Sequence, residues 1–90
     1  MSDEEQGTLL EFPCEFPIKM MGRDEESFRR AAIELVETYA GEIPEEAITM
    51  SASSKGNFVS ITVTITAESQ AQLDDIYRAL TAHEEILVAL

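Results

Sequence analysis

Ninety residues with 18 acidic and six basic side chains make one domain carrying a formal charge of −12. So acidic a chain repels nucleic-acid phosphates and anionic lipid headgroups, which excludes polyanion binding as its task. No apolar run reaches the roughly 20 residues of a membrane helix. The opening Met1-Ser2-Asp3-Glu4-Glu5 is acidic where a secretory signal is basic and then apolar. The single cysteine, Cys14, cannot close an internal disulfide. The expectation is a cytoplasmic protein.

Residues 1–8 lack apolar content and read as a disordered acidic tail, and 9–90 read as one domain. Leu9, Leu10 and Phe12 form a short apolar arm closed by Pro13. Phe16, Ile18 and Met20 then alternate with Pro17, Lys19 and Met21, a first strand that ends at Gly22. Pro17 lies near its start, where a missing donor is tolerable.

Asp24 is placed to cap the helix that follows, with Glu25 and Glu26 in its first turn. Phe28, Ala31, Ala32, Leu35, Val36 and Tyr39 recur at spacings of three and four and share one face. Gly41 stops the helix and Pro44 forbids its continuation. A weaker strand follows, with Ile48, Met50 and Ala52 alternating with Thr49, Ser51 and Ser53.

The polar turn Ser53-Ser54-Lys55-Gly56-Asn57 leads into strict alternation, and this pairing predicts a hairpin. Val59, Ile61, Val63 and Ile65 share one face of the third strand; Ser60, Thr62, Thr64 and Thr66 share the other. Ser69 and Gln72 have capping-box spacing, and Leu73, Ile76, Tyr77 and Leu80 line one face of a second helix fading near His83. Ile86 to Leu90 is an apolar last strand. The order strand, helix, strand, strand, helix, strand predicts an α+β, ferredoxin-like βαββαβ sandwich. Its antiparallel sheet has order 4-1-3-2 and both helices on one face. The other face is open and presents Lys19, Met21, Ser60, Thr62 and Thr64, too polar for a hydrophobic dimer.

This topology gathers three connections at one end: Gly22-Arg23-Asp24, the hairpin Ser54 to Asn57, and His83-Glu84-Glu85. Lys55 and Arg23 are the cations there, and the free N–H groups of the first helix face the same way. The candidate ligand-binding residues are Lys19, Gly22, Arg23, Ser54, Lys55, Gly56 and Asn57, for a carboxylate or other anion, although Asp24, Glu25, Glu26, Glu84 and Glu85 crowd the same end. The bland alternative is a solvated hairpin tip and helix cap.

Catalytic pieces are missing from the pattern. Cys14 lies next to Glu15, which disfavours its thiolate, and His83 suits the C-terminal end of a helix dipole without a nucleophile in reach. The Asp-Glu clusters read as helix surface rather than as metal ligands, so no cofactor or metal is expected. The stacking aromatics of ferredoxin-like RNA-binding domains are absent from the central strands. Acylphosphatases place an arginine where Arg23 stands, but the Asp24-Glu25-Glu26 run behind it opposes a phosphate cradle.

Leu9-Leu10-Glu11-Phe12-Pro13-Cys14, Phe16-Pro17-Ile18-Lys19, Met21-Gly22 and Ser53-Ser54-Lys55-Gly56-Asn57-Phe58, with Leu73, Ile76, Tyr77 and Leu80, resemble the YbeD-like family of small bacterial proteins. The resemblance covers nearly everything after the tail. It implies the same fold, similar to that of ACT regulatory domains, which bind small effectors around the turn after the first strand. Members have been labelled lipoate-binding or lipoate-related regulatory proteins. The resemblance implies little about activity; with the catalytic pieces missing and Gly22, Arg23 and Lys55 at one end, the expectation is a small non-enzymatic, ACT-like regulatory protein that binds a carboxylate metabolite, with lipoate as one candidate. The alternative is a protein-interaction adaptor using the apolar N-terminal arm or the acidic helix surface. Exposure of Leu9, Leu10 and Phe12 would favour the adaptor, and their packing on the domain would favour the sensor.

Overall fold

The computed structural model describes residues 11–52 and 56–90. Strand β1 (Cys14–Arg23) is followed by α1 (Glu26–Ala40), a 3-10 turn at Glu45–Ala47, β2 (Ile48–Ala52), β3 (Phe58–Ala67), α2 (Gln70–Ala82) and β4 (Val88–Ala89). The sheet order is β2-β3-β1-β4 with every pair antiparallel, which is the expected 4-1-3-2 arrangement. The tail at 1–8, Leu9 and Leu10, and Ser53, Ser54 and Lys55 lie outside the described residues.

Strict alternation on the two central strands builds the core. All ten residues of β1 pair with β3, from Cys14 opposite Ala67 to Arg23 opposite Phe58. Residues directly opposite share a face, so Ile18, Met20, Val59, Ile61, Val63 and Ile65 turn together toward the helices and are buried. Phe28, Ala32 and Val36 of α1 and Leu73, Ile76 and Leu80 of α2 complete this layer. Each large side chain buried there contributes about 1.5–3 kcal/mol. Ile43 and Ile86, from the connections, close the two ends of the core.

The edges depart from the expected pattern. Strand β1 begins at Cys14 and runs through Arg23, longer at both ends than the alternation alone indicated. Met50 shares the core side of the sheet with Ile61 yet is 54% exposed, because β2 makes its main contacts with β3 and extends past the helices. Tyr39, near the end of α1, is likewise exposed. The last strand is two residues rather than five: Ile86 turns inward and closes a turn by donating its N–H to His83 O. Flanking bonds lengthen the pairing, with Leu87 N–H donating to Met21 O and Leu90 and Lys19 exchanging both of their backbone bonds. This β4 pairing stops at Lys19, so the edge of β1 before it, including Pro17, has no β4 partner.

The helix starts differ from each other. Ser69 caps α2 as its spacing predicts, its Oγ accepting from Gln72 N at 3.1 Å. The Gln72 side chain does not complete a reciprocal box; it accepts from Glu68 N and donates to Tyr39 O, tying α2 to the end of α1. For α1 the expectation of an Asp24 cap is corrected. The N-cap position is Glu25, which makes no side-chain cap bond, and Asp24 instead accepts from Arg29 Nη1 at 2.6 Å. Gly41 ends α1 at φ 83°, a conformation that glycine takes without strain. Among the described residues, no helix is long and apolar enough to cross a membrane.

Candidate functional site

The end of the domain selected from the sequence is a real convergence. Arg23 stands opposite Phe58 in the sheet, and Asp24 N donates to Asn57 O at 3.1 Å, joining the exit of β1 to the hairpin segment. Gly56 adopts φ 74°, as a turn glycine does. The loop before β4 closes the third side: Ser27 Oγ donates to Glu85 Oε1, and Glu85 N donates to His83 Nδ1. Gly22, Arg23, Gly56 and Asn57 are therefore brought together, whereas Ser54 and Lys55 lie outside the described residues.

Two members have reasons of their own to be there. Gly22 is buried, and a β-carbon on it would run into the Phe28 ring and into Glu85 O. The Arg23 guanidinium lies over the Phe58 ring, 5.8 Å from its centroid. The hollow beside it, about 230 Å³, is lined by Arg23, Glu25, Glu84, Glu85 and Leu87. Three carboxylates against one guanidinium make this a poor receptor for an anion. Lys19 does not belong to the group: it lies four residues back on β1, about 13 Å along the strand, between Thr62 and Leu90.

A larger hollow, about 590 Å³, lies at the opposite end, and the sequence reading missed it. Glu15, Glu42, Glu46 and Glu68 ring it over Ile43 and Ile65. Its volume suits a small ligand, but four carboxylates with no cation oppose a carboxylate metabolite. The turn Glu42-Ile43-Pro44-Glu45-Glu46 was the available signal. Read only as a helix stop, it did not show that Ile43 folds under and spreads the glutamates around a hollow.

No group of three or more His, Cys, Asp or Glu among the described residues is arranged to hold a metal ion. Phe12 is half-buried against the core, so that part of the apolar arm packs on its own domain.

The open face of the sheet is the most distinctive surface. On register, its outward positions are Glu15, Pro17, Lys19, Met21 and Arg23 on β1, and Phe58, Ser60, Thr62, Thr64 and Thr66 on β3. Thr49 and Ser51 extend it on β2, and Val88, opposite Met21, extends it on β4. Leu90 lies beside Lys19 through their paired backbone bonds. Of the strand positions on this face, Glu15 alone is acidic. Arg29, Arg30 and Arg78 are paired with Asp24, Glu26 and Asp75 around the helices, while Lys19 and Arg23 make no ion pair with a described residue. The strand positions of the open face thus carry a single acidic residue, while Glu42, Glu46 and Glu68 gather beside its Glu15 end and Glu25, Glu84 and Glu85 beside its Arg23 end. One corner of that face is apolar: half-buried Met21 adjoins Val88, with Phe58 diagonal to it and Leu90 beside Lys19.

The comparisons with known proteins fit this fold. Residues 7–90 match the family described as "Protein of unknown function (DUF493)". The chain belongs to the DUF493 family. Its resemblance to YbeD-like proteins is consistent with that membership. A "UPF0250 protein" of Neisseria gonorrhoeae is 46% identical over 91 residues, covering 100% of both chains. Another from Paraburkholderia phytofirmans is 43% identical over 83 residues, covering 92% of this chain and 93% of the relative. Among solved structures, protein HP0495 from H. pylori superposes with a TM-score of 0.67 at 17% identity, over 100% of this chain and 94% of that one. At that identity the likeness speaks for the fold. This DUF493 protein thus has the ferredoxin-like architecture of a small bacterial family whose activity is not established.

Proposed function

We propose that this DUF493 protein is a non-enzymatic binding module that acts through protein contact, with the open face of the sheet as its contact surface. The near-absence of acidic residues from its strand positions carries this reading. A chain with 18 acidic residues keeps all but Glu15 off the strand positions of this face and places Met21, Phe58, Val88 and Leu90 at one corner of it. An exposed apolar patch rimmed by hydroxyls and two cations is what a protein contact uses, while the acidic helix layer keeps the molecule soluble. The experiment is affinity capture from cell extract with the wild-type chain, Val88→Glu and Asp74→Asn. Capture lost with Val88→Glu and kept with Asp74→Asn supports the open face; capture insensitive to Val88→Glu overturns it.

A second reading is ACT-like sensing of a small carboxylate, lipoate included, at the Arg23 end. One observation favours it: Arg23 makes no ion pair with a described carboxylate, despite Glu25, Glu84 and Glu85 around its hollow. A thermal-shift panel of amino acids and lipoate tests it. A ligand at 100 times its dissociation constant stabilises by about 2.7 kcal/mol, and the shift should vanish in Arg23→Ala.

A further inference from the structure

The open face carries opposite charges at the two ends of β1. Along β1 the outward positions run Glu15, Pro17, Lys19, Met21, Arg23, so a carboxylate and a guanidinium stand at equal distances on either side of Lys19. Alternation fixes this spacing: the strand advances about 6.6 Å for each outward residue, which puts Glu15 and Arg23 about 26 Å apart on one line. On β3 the corresponding outward line, Phe58 to Thr66, is uncharged and is centred on Thr62, the partner of Lys19.

We infer that the open face binds a second copy of this chain, face to face, about a two-fold axis that crosses the strands at Lys19 and Thr62. Such an axis lies in the plane between the two sheets and reverses each strand over its own copy. It sets Arg23 of each chain against Glu15 of the other, Met21 against Pro17, and Phe58 against Thr66. Two reciprocal ion pairs form at the ends of the contact, with hydroxyl-bearing positions between them. Lys19 meets its own symmetry mate at the centre, and its long stem can carry the ammonium group to the rim. The acidic outer surfaces of the helices end up on the outside of the pair, which limits the repulsion that a charge of −12 per chain would otherwise impose.

The area is adequate for a reversible association. Two ten-residue strands with shorter neighbours on each side, at about 4.8 Å spacing and about 3.3 Å per residue, offer about 430 Å² per copy. The total of about 860 Å² is the size of a weak, reversible contact. The charge pairs therefore decide whether this face, and not another, is used.

The inference rests on the open face being the contact surface, and the test separates the two. Sedimentation equilibrium into the high micromolar range is run on the wild type, Glu15→Arg, Arg23→Glu and the double exchange Glu15→Arg/Arg23→Glu. Both positions are exposed, so the substitutions do not touch the core. The expected result is a dimer that each single reversal weakens about tenfold or more, through like charges set face to face, and that the double exchange restores. A monomeric wild type overturns the second copy as occupant, while the capture pattern with Val88→Glu still judges the face itself. A dimer indifferent to both single reversals, or one that the double exchange fails to restore, overturns the proposed arrangement.

Discussion

Gly22 and Phe28 interlock: the ring of the first buried residue of α1 lies on the Cα of the last core-facing position of β1. A β-carbon at Gly22 would collide with Phe28 and come within 2.7 Å of Glu85 O. The ring could shift, but a backbone carbonyl moves only with its loop. Gly22→Ala should therefore lose about 1–3 kcal/mol, the usual cost of overpacking. Denaturant unfolding checks this, and a neutral result would show that the loop before β4 yields.

The two helix starts make opposite predictions. Ser69 holds Gln72 N, so Ser69→Ala should cost about 1 kcal/mol. Glu25 holds nothing at the equivalent place on α1, so Glu25→Ser should gain about 0.5–1 kcal/mol, with Glu26 still supplying charge to the first turn. Paired thermal melts of the two variants should move in opposite directions.

Tyr77 connects α2 to the end of β4, its hydroxyl donating to Leu90 O at 2.6 Å while its ring stands edge-on to Phe16. Burial pushes the phenol above its ordinary value of 10.0. The folded state thus holds the proton more tightly than the unfolded chain. The resulting stability is fully present below about pH 10 and declines as pH rises through the raised folded value. Tyr77→Phe should remove that alkaline decline, cost about 0.5–1.5 kcal/mol at neutral pH, and speed hydrogen exchange at the Leu90 amide.

Ile76 is wholly buried between the helices and the sheet. Ile76→Ala should cost about 2–5 kcal/mol, while Met50→Ala, on the overhanging edge of the sheet, should cost well under half as much. Comparing the two by chemical denaturation tests whether β2 lies outside the cooperative core.

What could be read from the residues depended on how local the cause was. The alternation of Val59 to Thr66 and the three-and-four spacing of Phe28 to Val36 are dictated by strand and helix periods, so the topology followed from them. Ser69 was legible because a cap involves neighbours. Asp24 was misread because Arg29, a turn further on, competes for its carboxylate. The exposure of Met50 could not be foreseen, since it depends on how far two helices extend across a sheet. The convergence of Gly22, Arg23 and Asn57 followed from the connections alone. Gly22's buried place beneath Phe28, and the hollow over Ile43, required the packed chain.

Pro17 bears on how large the sheet can grow. Lys19 directs both of its backbone bonds to Leu90, so the residues two and four positions earlier, Pro17 and Glu15, direct theirs toward the same edge. Where β4 stops, a visiting strand would meet first a residue without an N–H and then a carboxylate, two features that discourage edge pairing. Among the described residues that half of an inner strand has no neighbour on this side, and its own residues keep it from becoming a template. Replacing Pro17 by valine would turn that half-edge into an unbroken row of donors, and the expected consequence is fibre growth in concentrated solution.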